Sequence, residues 1–164
     1  MAKCNQMMTG SVLDILIYVF DQYMLGEAPE VPERRALARQ LEGRGFAAPN
    51  VERALDWLAD LACMRDRPPL TGTEAAMRVF CDCELMRLST EARGLLLTLE
   101  RCGVLSMQQR EGVVERLLAL DSEELDVEQV KWVVLMVLSS QPGQEHAFAR
   151  FHDLTAAVRP HMAH

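Results

Sequence analysis

The residues that could carry chemistry are few. Cys81-Asp82-Cys83 places two thiols one residue apart. Thiolates are nucleophiles and soft metal ligands, but structural zinc sites use pairs of ligands spaced by about two to four residues. One CxC, with Cys63 or Cys102 as a third candidate, does not supply that set, so the cysteines read as free thiols and no metal is expected. The histidines His146, His152, His161 and His164 gather at the C-terminal end. His146 and His152 are six apart and do not share a helical face. Asp14, Tyr18 and Asp21 share one side of a helix, as an acid/base cluster or as its solvated side. No Ser/His/Asp order, GxSxG, phosphate loop or GxGxxG occurs. No catalytic residue and no cofactor is therefore named, and an enzyme is the least supported reading.

Arg34, Arg35, Arg39 and Arg44 form a basic cluster offset by Glu42. Arginines there could contact DNA phosphates. The following helix exposes Glu52, Asp56 and Asp60 beside Arg53, which opposes a phosphate backbone. A second charged stretch runs through Glu111, Glu115, Asp121, Glu123, Glu124, Asp126 and Glu128. It reads as a solvated helix edge, with docking of a basic partner as the alternative.

These residues must sit on helices. Residues 11–25 carry Val12, Ile15, Leu16, Val19, Phe20 and Tyr23 at helical spacing, with Leu13 and Ile17 widening the stripe. Gly26 ends that helix, and 27–33, with Pro29 and Pro32, links to a short helix over 33–43 with Leu37 and Leu41 inward. Pro49 suits a first turn. The helix over 50–62 turns Val51, Ala54, Leu55, Leu58 and Ala62 inward, with Trp57 near the edge. Two short helices around a Gly-containing turn suggest a helix-turn-helix. The alternation over 76–81 reads as a short strand pairing with 61–64, a β-hairpin around Met64 and Val79. That order of elements is winged-helix-like.

From Asp82 the chain reads as helical: a short turn over 82–87, then helices over 90–102, 106–120, 126–139 and 144–158. Ser89 caps the first. Ser106-Met107-Gln108-Gln109 and Asp126-Val127-Glu128-Gln129 are capping boxes. Residues 132–138 are apolar all round, which demands burial. The expectation is a mostly α protein of about seven helices, with a winged-helix-like N-terminal half containing one short hairpin and a C-terminal four-helix part. The domain reading is an N-terminal extension over 1–11 and subdomains over 12–80 and 81–160, or one continuous domain; any seam falls in 65–73.

Composition bounds the function. Of 164 residues, 49% are apolar, enough for a core. The 24 acidic residues exceed the 17 basic ones, giving a net charge of −7 that opposes nonspecific polyanion binding. Five cysteines, an odd number without a CxxC, fit a reducing compartment. Residues 1–10 show no secretory pattern, and the longest apolar run, 132–138, is far short of the roughly 20 residues that span a bilayer. A cytoplasmic protein without membrane attachment is expected.

Several stretches resemble the Smg family of proteobacteria. They are Asp14-Ile15-Leu16-Ile17-Tyr18-Val19-Phe20, Ala54-Leu55-Asp56-Trp57-Leu58, Arg93-Gly94-Leu95-Leu96 before Leu99-Glu100, Arg116-Leu117-Leu118-Ala119-Leu120-Asp121, and Lys131-Trp132-Val133-Val134-Leu135-Met136-Val137-Leu138. The likeness runs from about Val12 to Leu154. It implies an intracellular protein without an established reaction, cofactor or catalytic residue, from a family whose genes often lie near DNA-processing and topoisomerase genes. Family members usually begin near Val12, which marks 1–11 as an extension. Where they tend to carry Thr-Pro-Glu-Glu-like residues, this chain has Cys81-Asp82-Cys83-Glu84, so the thiols are its own. The leading expectation is a non-enzymatic cytoplasmic adaptor that presents a helical surface to another protein. Its candidate partner surface is Leu13, Ile17 and Tyr18, flanked by Asp14 and Asp21. The alternative is a DNA-associated regulator using Arg34, Arg35, Arg39 and Arg44, linked to DNA processing or topology.

Overall fold

The computed structural model describes residues 10–24, 31–68 and 78–157. The expected extension over 1–11 (apart from Gly10 and Ser11), Gly26 with most of its linker, most of the 65–73 seam, Met77, His161 and His164 lie outside them. Two compact units divide the chain: one runs to Cys63 and includes Ala119–Asp121, and the other holds Met64–Leu118 and the residues from Ser122 onward.

In the first unit, α1 spans Val12–Val19. The Ser11 hydroxyl accepts the Asp14 N–H at 3.2 Å, and the Asp14 carboxylate accepts the Ser11 N–H at 3.3 Å. Two donors that the first turn would leave unpaired are thereby satisfied. Val12, Ile15, Leu16 and Val19 are buried. A π-helical turn, Phe20–Met24, follows. The Tyr23 hydroxyl donates to Gln40 Oε1 at 2.6 Å, tying this turn to α2 (Arg34–Gly43). Leu37 and Leu41 are the buried positions of α2. Gly45 adopts φ +100°, a left-handed conformation that costs other residues energy, and the chain turns there so that Phe46 is buried.

Helix α3 spans Ala48–Met64, with Pro49 in its first turn. Val51, Ala54, Leu55 and Leu61 are buried, and so is Trp57, at 3% exposure, which the sequence reading placed near the edge. An ion pair between Arg53 and Asp121 fixes Ala119–Asp121 to this unit.

The expected hairpin does not form. Residues 61–64 continue α3, because Leu61 and Met64 extend its buried period rather than alternating. Residues 78–80 belong to no strand or helix, and the Arg78 guanidinium stacks on the Phe80 ring. Among the described residues there is no strand, only an isolated parallel bridge between Leu88 and Leu125. The winged-helix reading therefore loses its wing; the mostly α class stands.

The second unit contains α4 (Asp82–Arg87), α5 (Thr90–Arg101), α6 (Met107–Leu118), α7 (Val127–Ser139) and α8 (Glu145–Ala157). The described residues thus hold eight α-helices rather than about seven, since 82–87 is a helix in its own right, and five rather than four follow Arg78. The expected caps are present. The Ser89 hydroxyl accepts the Ala92 N–H, and Asp126 and Gln129 exchange side chain–backbone bonds of 2.9 Å. Gly103 stops α5 at φ +69°. Helix α7 packs against α5, α6 and α8. Its Val133, Val134, Met136, Val137 and Leu138 are buried, whereas Trp132 and Leu135 of the apolar run are half-buried. A Leu→Ala change at such a site costs about 2–5 kcal/mol.

Candidate functional site

The sequence-derived candidates fall in different places. On α1, Asp14 belongs to the helix cap, Leu13, Ile17 and Tyr18 are half-buried, and Asp21 is exposed. The Tyr18 ring lies 6.0 Å from Phe46 and 5.5 Å from the Arg44 guanidinium. The Tyr18 hydroxyl oxygen is buried without a hydrogen-bond partner among the described residues, so it joins no acid/base relay with Asp14 or Asp21.

The arginine cluster separates. Arg44 sits over Tyr18, whereas Arg34, Arg35 and Arg39 line a cleft of about 450 Å³ with Ala38 and Glu52. Arg34 donates to both Glu52 and Asp56 at 2.8 Å, and these carboxylates hold its guanidinium more firmly charged. The α3 carboxylates thus satisfy one of the arginines proposed for phosphate contact. Arg35 and Arg39 remain exposed, one helical turn apart.

The acidic stretch is largely paired. Glu111 bonds Arg78 and Arg110, Glu115 bonds Arg67 and Arg116, Asp121 bonds Arg53, and Glu128 bonds Lys131. The Arg67 guanidinium holds the Glu115 carboxyl below the ordinary carboxylate range. Asp126 caps α7, and Glu123 and Glu124 of the same stretch are exposed.

The most distinctive site was not singled out from sequence. It lies over residues 78–93 of the second unit. Arg78 is only 9% exposed and bonds Glu84 through two parallel contacts of 2.9 and 2.7 Å. It also donates to Glu111 at 2.6 Å. Arg110, itself buried, continues the chain of charges to Glu111 and Glu100. Such bidentate pairs are rigid and are strongly held when desolvated. Arg78 holds Glu84 below the ordinary carboxylate range, and the two carboxylates raise Arg78 in return. Burial pushes Glu111 up, but hydrogen bonds from Arg78 and Arg110 outweigh it and leave its carboxyl lowered.

Phe80 lies 4.4 Å from the Arg78 guanidinium and 5.9 Å from that of Arg93. Glu84 also accepts the Cys81 N–H at 2.9 Å, which starts α4. This anchored segment holds apolar side chains in water: Val79 is 84% exposed, Met86 83% and Leu85 42%. Sequence reasoning saw the alternation around Val79 and read a strand. The available signal was Arg78 and Glu84 flanking Phe80, and Glu111 on α6 adds a second carboxylate to Arg78.

Among the described residues, no three of His, Cys, Asp and Glu converge in a metal-holding group. No described helix is long and apolar enough to cross a membrane. The remaining clefts of the second unit lie around Met64, Gln108 and Gln141.

A mostly α protein with a largely buried ion network under an exposed apolar segment is the class these features define. The chain belongs to the Smg family. The family model described as a protein of unknown function (DUF494) matches residues 12–164. The protein Smg homolog of Alkalilimnicola ehrlichii is 40% identical over 157 residues, covering 96% of this chain and all of that protein. Its counterpart in Halorhodospira halophila is 39% identical over the same shares. That of Nitrosococcus oceani is 42% identical over 149 residues, 90% of this chain and 94% of that protein. These descriptions name no enzymatic reaction. No solved structure matches the chain.

Proposed function

We propose that the protein is a non-enzymatic cytoplasmic adaptor that docks another protein through residues 79–86. The observation that carries this reading is the exposure of Val79, Leu85 and Met86 on a segment fixed by a buried ion network. Exposed apolar side chains on a rigid mount gain the hydrophobic term on association without a large ordering cost. Methionine suits such a surface because its flexible thioether adapts to a partner. A dispersed, loosely held set would carry no such argument.

The test is affinity capture from bacterial cytosol with wild type and with Val79→Ser combined with Met86→Ser. The expected result is loss of specific co-purifying proteins in the double variant, with helicity and melting temperature unchanged. Identical captured sets would refute the docking role of this segment.

A second reading, a DNA-associated regulator, is favoured by one observation: Arg35 and Arg39 are exposed at (i, i+4) on α2. Net charge, the engagement of Arg34 by Glu52 and Asp56, and the position of Arg44 over Tyr18 weigh against it.

A further inference from the structure

We propose that Cys81 and Cys83 form a dithiol modification site that a low-molecular-weight disulfide, such as glutathione disulfide, oxidises to an intramolecular bridge. Both thiols lie within the proposed docking segment, but the chemistry is that of the free chain and does not rest on the docking reading. Both cysteines are exposed, and their sulfurs lie 2.8 Å apart. Residues at i and i+2 inside a helix point in different directions. Here Cys81 is still extended, at φ −75° and ψ 165°, immediately before α4, and this turns its side chain toward Cys83. The backbone is held there, because Glu84 accepts the Cys81 N–H and Arg78 clamps Glu84. The second thiol is thus kept within reach of any mixed disulfide formed on the first, which favours ring closure over release. Cys63 is also exposed but has no such neighbour among the described residues, and Cys102 is half-buried.

The hydrogen bond with Cys81 pushes the Cys83 thiol up, which disfavours its thiolate, and Cys83 is assigned the resolving role. The Cys81 thiolate attacks one sulfur of glutathione disulfide, forming a mixed disulfide and expelling one glutathione thiolate. Cys83 gives up its proton to solvent and attacks the Cys81 sulfur, expelling the second glutathione. Two protein thiols are oxidised by two electrons, and one disulfide is reduced to two thiols.

The test uses the full chain, reduced and then equilibrated with glutathione disulfide at neutral pH, followed by alkylation and mass analysis. The expected product has lost two hydrogen atoms, three alkylatable thiols remain of the five, and the bridge maps to Cys81 and Cys83. Cys83→Ser should instead accumulate the mixed disulfide on Cys81. Glutathione retained on Cys81 of the wild type, a bridge between two chains, or full alkylation of both cysteines would each overturn the proposal.

Discussion

Arg78 grips Glu84 through two hydrogen bonds of 2.9 and 2.7 Å, with both side chains close to nine-tenths buried. The six-residue separation folds the chain back so that Phe80 packs under the guanidinium. Removing one member of such a pair leaves the other charged and desolvated. Arg78→Ala is expected to destabilise the second unit by about 3 kcal/mol, the lower end for a broken buried pair. Urea denaturation checks this; a loss below about 1 kcal/mol would mean that solvent compensates Glu84 and Glu111 freely.

The same network fixes an acid response. Glu84 and Glu111 titrate lower in the folded chain than the unfolded value of about 4.3. The folded state therefore binds fewer protons as pH drops, and their stabilisation is present above about pH 4.3 and lost as pH falls through the folded values. The urea midpoint should decline steeply below about pH 4.3, and Glu84→Gln should lower the midpoint at neutral pH while flattening that decline. Parallel pH profiles for the two proteins would contradict this origin.

What was legible in sequence, and what was not, follows from the range of each interaction. The Ser89 and Asp126 caps and the apolar period of α7 are set within a few residues and can be read directly. The hairpin around Met64 and Val79 failed because the six residues 76–81 carry little information, while Met64 continues a helical period already running from Val51. The ion network joins residues up to 33 positions apart, and no local pattern announces that Glu111 belongs beside Arg78. Trp57 was misplaced for a related reason: a large ring at a stripe's edge is buried when the neighbouring elements close over it.

Gly112 offers a test of packing. A Cβ built there would lie 2.0 Å from the Met64 methyl carbon. Alanine gains about 1 kcal/mol of helix propensity over glycine, whereas overpacking costs about 1–3 kcal/mol. Because the obstacle is the end of a flexible side chain, Gly112→Ala is expected near neutrality, and Gly112→Leu is expected to destabilise by about 2 kcal/mol. Met64→Ala should make Gly112→Ala favourable, and the double-mutant cycle in urea measures that coupling. Additive effects would show that Met64 is not the obstacle.

Duplex DNA is expected to bind weakly. With the exposed Arg34 held by Glu52 and Asp56, the exposed Arg35 and Arg39 on α2 offer about two phosphate contacts, and the salt slope of log K would be shallow, about −2. Fluorescence anisotropy with a labelled duplex at about 150 mM salt should give no sub-micromolar binding. Tight binding abolished by Arg35→Ala with Arg39→Ala would instead support the DNA reading.

The flank of α1 can be judged through Tyr18. Its hydroxyl is buried without a partner among the described residues, a situation that costs about 1–3 kcal/mol when nothing else satisfies it. Tyr18→Phe keeps the contacts with Phe46 and Arg44 while deleting that oxygen. It should leave stability unchanged or raise it by up to about 1 kcal/mol. Ile17→Glu with Tyr18→Ala is the opposite experiment. It places a charge on a half-buried position and removes the ring against Phe46. If Leu13, Ile17 and Tyr18 chiefly complete the core of the first unit, the double variant loses about 2–4 kcal/mol and melts lower. If they serve with Asp14 and Asp21 as a partner surface, the double variant keeps its melting temperature and loses its captured proteins. Half-burial favours the first outcome, and thermal melting of the two variants side by side decides it.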